Sequence, residues 1–132
     1  MSGRTSGGAG TCELGFLIVA RVLAVAPDLM FASRIEATLG AAGHEATLAG
    51  ADARPDGAQL LVVDLASTGF DGVELVERLR AAGELEGTRT LGVYSHVDAD
   101  TKRRADGAGF DMVVPRSRMA REMPALVERL LA

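Results

Sequence analysis

Four side chains have the types and the positions to do chemistry together: Asp28, Asp64, Ser95 and Arg116. A carboxylate, a hydroxyl and a guanidinium that meet in one crevice can handle a phosphoryl group. An exposed aspartate attacks phosphorus and forms an acyl phosphate. The charge is then neutralised, usually by Mg²⁺ held by one or two carboxylates with water and phosphate oxygens. Arg116 and Ser95 suit the phosphoryl oxygens as cation and hydroxyl. Other chemistries find no such set. No His, Cys and Asp cluster has the spacing of a zinc site, and no nucleophile–base pair is visible. Gly7, Gly8 and Gly10 have neither a preceding strand nor a following Lys-Ser/Thr, so they form no phosphate loop. Plainer roles stand beside these: Asp64 as a strand-end carboxylate pairing locally, Ser95 and His96 as loop residues, and His44 as a cation at a helix end.

Bringing those residues together is the work of alternating apolar runs and helix-period segments, which begin at residue 21. Arg21–Ala26 (RVLAVA) reads as a buried strand. Pro27-Asp28 opens a helix to about Ala42, with Phe31, Ile35, Leu39 and Ala42 on one face and Gly43 as its stop. A strand near Glu45–Leu48 precedes a Pro-interrupted segment over 51–57. Gln59–Asp64 (QLLVVD) is a near-continuous apolar run, as in a strand covered on both faces. The loop Leu65–Gly72 leads to a helix over Val73–Ala82, with Val73, Val76 and Leu79 inward. Thr90–Tyr94 is a fourth strand, Asp98 to about Ala108 a polar helix, and Asp111–Pro115 a fifth strand. The last helix runs from about Arg118 to Leu131 on an apolar stripe of Met119, Met123, Leu126 and Leu130. Five strand–helix units imply right-handed crossovers and an α/β three-layer sandwich, a flavodoxin-like parallel sheet of order 2-1-3-4-5 with helices on both faces. Its functional crevice lies at the carboxyl ends of the strands, where Asp28, Asp64, Ser95 and Arg116 all fall.

The 132 residues fit one domain, with 1–13 (MSGRTSGGAGTCE) as a flexible tail and 14–132 as the folded unit. A formal net charge of -4, no Trp, one Tyr and four Phe argue against nucleic acid, which needs clustered cations and stacking rings. Cys12 is the single cysteine, which excludes an intramolecular disulfide and suits a reduced, cytoplasmic setting. No apolar run reaches the ~20 residues of a membrane span. Residues 14–26 end in Ala24-Val25-Ala26, like a signal-peptide cleavage site, but Glu13 before them and Arg21 within them favour a strand.

LLVVDLASTGFDGVELVERLR (residues 60–80) resembles the third strand, phosphoacceptor loop and third helix of CheY-like response-regulator receiver domains. TLGVYSHVDADTKRRADGAGFDMVVPRS continues the likeness through the fourth and fifth strands. RVLAVAPDLMFASRIEATLGAAGHEATLA resembles the opening strand, helix and second strand, so the likeness covers residues 21–132. It implies that Asp64 stands at the phosphoacceptor and Ser95 at the hydroxyl that contacts the phosphoryl group. Arg116 falls on the phosphate-pairing lysine. The departures are as informative. Ala26 and Pro27 replace the acidic pair that anchors Mg²⁺, with Asp28 one place later. Val113 replaces the switch aromatic, and Ser117 stands where a proline follows the lysine. A register shifted by one keeps Pro115 as that proline, puts Val114 at the lysine position and removes the cation.

Losing a carboxylate opposite a divalent ion costs several kcal/mol, which slows phosphoryl transfer by ~10² or more. An inward Arg116 would pair with Asp64 and partly stand in for the metal. The resemblance therefore implies a degenerate receiver, or pseudo-receiver. Such a domain is not an enzyme, needs no cofactor and acts by contact with a protein such as a histidine kinase, another signalling protein or a second copy of itself. Neither nucleic acid nor membrane is an expected partner. Lys102, Arg103 and Arg104 are a solvated face or, as receivers use that region, a docking surface. Two alternatives stay open: a working response regulator phosphorylated on Asp64 by a histidine kinase with Mg²⁺, and a flavodoxin-like small-molecule binder.

Overall fold

A computed structural model describes residues 20–95 and 97–132. The expected tail, the apolar residues 14–19, Cys12 and His96 lie outside these described residues. The elements in chain order are β1 (Arg21–Val25), α1 (Leu29–Ala41), β2 (Glu45–Ala49), β3 (Leu60–Asp64), α2 (Gly72–Ala81), β4 (Arg89–Tyr94), α3 (Ala99–Gly107), β5 (Met112–Pro115) and α4 (Arg116–Leu131). All neighbours pair in parallel in the order β2-β1-β3-β4-β5, the order the alternation predicts.

Strand side chains alternate between two cores, as the two-residue strand period requires. Val22, Ala24, Leu60 and Val62 face α1 and α4, which contribute Phe31, Ile35, Leu39, Met119, Met123 and Leu126. Val25, Leu61 and Val63 face α2 and α3, meeting Val73, Leu75, Val76, Leu79 and Ala105. Every residue of β3 is buried, which is why its sequence is a continuous apolar run ending in one acid. Gly72 opens α2 against that strand, where a Cβ would overlap the side chains of Val63 and Leu65.

Four helices accompany the five strands among the described residues, one fewer than five strand–helix units would supply. Residues 50–59 cross from β2 to β3 as a loop, with Ala53 and Ala58 buried. The segment cannot continue a helix because Pro55 is followed by two residues of positive φ, Asp56 at 47° and Gly57 at 82°. Arg21 Nη2 ties this turn to β1 by donating to the Asp56 carbonyl at 2.8 Å.

Two further expectations need correction. α4 begins at Arg116 rather than about Arg118, with Pro115 at its N-cap. His44 is buried, and its Nδ1 accepts a hydrogen bond from the Ala20 amide at 3.1 Å. An accepting nitrogen carries no proton, so the ring closes the start of β1 rather than serving α1 as a cation. No helix among the described residues is long and apolar enough to cross a membrane.

Candidate functional site

Asp64 ends β3 and has 0% exposure. A carboxylate so placed must have its oxygens satisfied locally. Its Oδ1 accepts from the Ala66 amide at 2.9 Å. Its Oδ2 accepts from Ser67 Oγ at 2.6 Å and from Arg116 Nη2 at 2.9 Å. Arg116 reaches it because β5 runs beside β4 and α4 starts immediately after Pro115.

The same guanidinium has a second acid. Arg116 Nη1 donates to Asp28 Oδ2 at 3.2 Å, and its Cζ lies 4.4 Å from the centre of the Phe31 ring. Arg116 Nε is buried and has no hydrogen-bond partner. Asp28 is also the N-cap of α1, where Oδ1 accepts from Met30 and Phe31 amides at 3.0 and 3.2 Å. The Phe31 amide, helped by Arg116 and Met30 and opposed by desolvation, holds the Asp28 carboxyl below its ordinary range.

Asp71 and Asp98 cap α2 and α3 in the same way, but α4 has no side-chain cap and no acid in its first turn. A guanidinium at the positive end of a helix is unfavourable by itself. The carboxylates of Asp64 and Asp28 lie across from Arg116 and supply the anionic partners.

The remaining sequence candidates lie less centrally. Ser95 is half-buried beside the loop after β4, makes no hydrogen bond to Asp64, and accepts from the Asp98 amide through its carbonyl at 2.8 Å. Ala26 is half-buried and Pro27 exposed, and neither side chain carries oxygen. Val113 is half-buried and packs on the core under α2 and α3. Sequence alone does not single out Ser67. A serine three residues after a strand-end aspartate is an ordinary signal for a local side-chain hydrogen bond, and that signal would have found it.

A second acid–guanidinium pair lies at the other end of the loop. Asp71 Oδ1 accepts from the Glu74 amide at 3.1 Å, and Oδ2 accepts from Arg104 Nη2 of α3 at 2.8 Å. Desolvation works to raise the Asp71 carboxyl, but the bonds from Arg104 and Glu74 outweigh it and hold the group below its ordinary range. A cleft of about 620 Å³ opens between this loop and the start of α3, walled by Ser67, Thr68, Asp98 and Thr101 among others. The other cations of α3 are paired too, Lys102 with Asp106 and Arg103 with Asp100.

This donor set does not fit Mg²⁺, which wants charged oxygens in octahedral array. Asp64 already accepts from three donors, one of them a cation. Asp28 divides its oxygens between a helix cap and Arg116, and positions 26 and 27 offer none. Among the described residues no group of three His, Cys, Asp or Glu side chains could hold a metal ion.

No protein-family model matches the chain, and no curated protein matches it in sequence. Solved structures do match. The chemotaxis response regulator CheY4 of Vibrio cholerae is 20% identical, with a TM-score of 0.71 over 86% of this chain and 99% of that one. A putative response regulator from Chloroflexus aurantiacus is 22% identical, with a TM-score of 0.71 over 86% and 98%. A CheY-like receiver domain protein from Methanospirillum hungatei is 17% identical, with a TM-score of 0.70 over 86% and 94%. The fold of this chain is the CheY-like fold of response-regulator receiver domains.

Proposed function

We propose that this chain is a pseudo-receiver, a non-enzymatic signalling domain that works by presenting a folded surface to a protein partner, without Mg²⁺-dependent phosphorylation. The observation that carries the reading is the guanidinium of Arg116 between Asp64 and Asp28, at 2.9 and 3.2 Å. Phosphoryl transfer to Asp64 needs a bare oxygen in line with the entering phosphorus and a cation free to follow the new charge. Here the oxygen that faces Arg116 also accepts from Ser67. The domain is read as a cytoplasmic component of two-component signalling, whose partner is a histidine kinase, another signalling protein or a second copy of the chain.

The reading of a working switch draws on one observation, the place of Asp64 at the end of a buried central strand with Arg116 opposite. Amide NMR spectra separate the two. Spectra unchanged by millimolar Mg²⁺ and excess beryllofluoride, an acyl-phosphate mimic, support the pseudo-receiver. Shifts centred on Asp64, Ser95 and Arg116 that need both additions would mean that the switch survives and would overturn it.

A further inference from the structure

We propose that Phe31 is the positioning residue that keeps Arg116 directed at Asp64. This rests on the reading of Arg116 as the cation resident in the pocket. The two terminal nitrogens of Arg116 point at carboxylates, while its Cζ lies over the Phe31 ring, 4.4 Å from the ring centre. The ring is itself nearly buried, at 9% exposure. A desolvated ring attracts a guanidinium more strongly than an exposed one does. The backbone of Phe31 is fixed as well, because its amide donates to the Asp28 cap. One carboxylate therefore anchors both the helix turn that carries the ring and the guanidinium that rests on it.

The alternative place for Arg116 adjoins the ring. A cavity of about 280 Å³ is bounded by Asp28, Met30, Phe31, Arg34, Arg116 and Ala120. Without the ring, the long arginine side chain can swing into that space toward solvent. Arg34 makes no salt bridge among the described residues, so its like charge opposes the swing and the ring supplies the attraction on the inner side. Phe31 by attraction and Arg34 by repulsion thus act in the same direction on the guanidinium.

The test is the Nε–Hε resonance of Arg116 in the full chain, assigned by its loss in Arg116→Lys. In the wild type this buried proton should be shifted upfield by the ring and protected from exchange. Phe31→Leu should speed Hε exchange about tenfold, and Phe31→Leu with Arg34→Glu should speed it further. Phe31→Tyr, which keeps the ring, should retain both signatures. Amide dispersion shows whether each variant folds, and where Phe31→Leu does not, the exchange rate is read in Phe31→Met, which also lacks the ring. A wild-type exchange rate of Hε in a folded Phe31→Leu would overturn the proposal. A wild-type response to Mg²⁺ and beryllofluoride would overturn the pseudo-receiver reading instead, and the Hε exchange rate would still judge Phe31.

Discussion

Two aspartate–arginine pairs flank one loop, and their lengths are almost the same: 2.9 Å for Asp64–Arg116 and 2.8 Å for Asp71–Arg104. Their surroundings differ. The Asp64 side chain has 0% exposure and its partner Arg116 35%, whereas Asp71 and Arg104 are 45% and 52% exposed. In water a pair gains little, because solvent screens the attraction and two long side chains must be ordered. Inside the protein the pair itself is no strong source of stability, but removing one partner strands the other. Bond length therefore says nothing about which pair matters. The consequence of breaking it is set by what remains behind.

The largest effect should come from Arg116→Ala, which leaves Asp64 buried with only Ser67 and Ala66. Urea unfolding should show a loss of about 3 kcal/mol, the low end for a buried pair because Arg116 is itself partly exposed. Asp64→Leu combined with Arg116→Met should recover most of that loss. A single-variant loss as small as that of a surface pair would erase the distinction between the two sites.

Ser67→Ala comes next. It removes one hydrogen bond to a charged, buried acceptor, and about 1.5–3 kcal/mol should go with it. Ser67 itself is half-buried, but its acceptor is not exposed, so an effect below about half a kcal/mol would mean that solvent reaches Asp64.

Arg104→Ala should cost at most about 1 kcal/mol, and that cost should vanish near about 1 M salt, where the screening length falls to a few ångströms. The penalty of Arg116→Ala should persist at the same salt. Equal salt sensitivity of the two variants would break the contrast.

The smallest signal is acid. Asp28, Asp71 and Asp98 are all held below the ordinary carboxylate range, by the Phe31 amide, by Arg104 and Glu74 against desolvation, and by Thr101 respectively. A depressed folded value means that the unfolded chain binds protons first as pH falls. Their contribution is complete above about pH 4 and is lost as pH drops through the lower folded values. Asp71→Asn should flatten that acid limb of an unfolding titration. A stability that rises on acidification below pH 4 would contradict the sign.

Much of the scaffold is legible in the chain itself. β3 announces itself because a strand buried on both faces must be apolar throughout. α1, α2 and α3 carry aspartate caps that mark their starts within a residue or so. The start of α4 is harder to read because Pro115-Arg116-Ser117 contains no capping side chain before the first turn, so periodicity points two residues late. The loop in place of a helix between β2 and β3 is foreshadowed by Pro55 and by Asp56-Gly57, a pair suited to consecutive left-handed residues. At the site, residue types locate Asp64 and Arg116. The direction of the arginine depends on a one-residue register at the end of β5 and on the ring of Phe31, which reads in the sequence only as a core position. Tertiary packing decides both.

The uncapped start of α4 has a further consequence. The cation that opens this helix draws its anionic partners from two other elements, the end of β3 and the cap of α1. Whatever withdraws Asp64 or Asp28 from Arg116, by neutralisation, substitution or a competing cation, should fray the first turn of α4 before it disturbs the sheet. The opening turn of α4 is thus the fold's own gauge of the state of a carboxylate that solvent never touches.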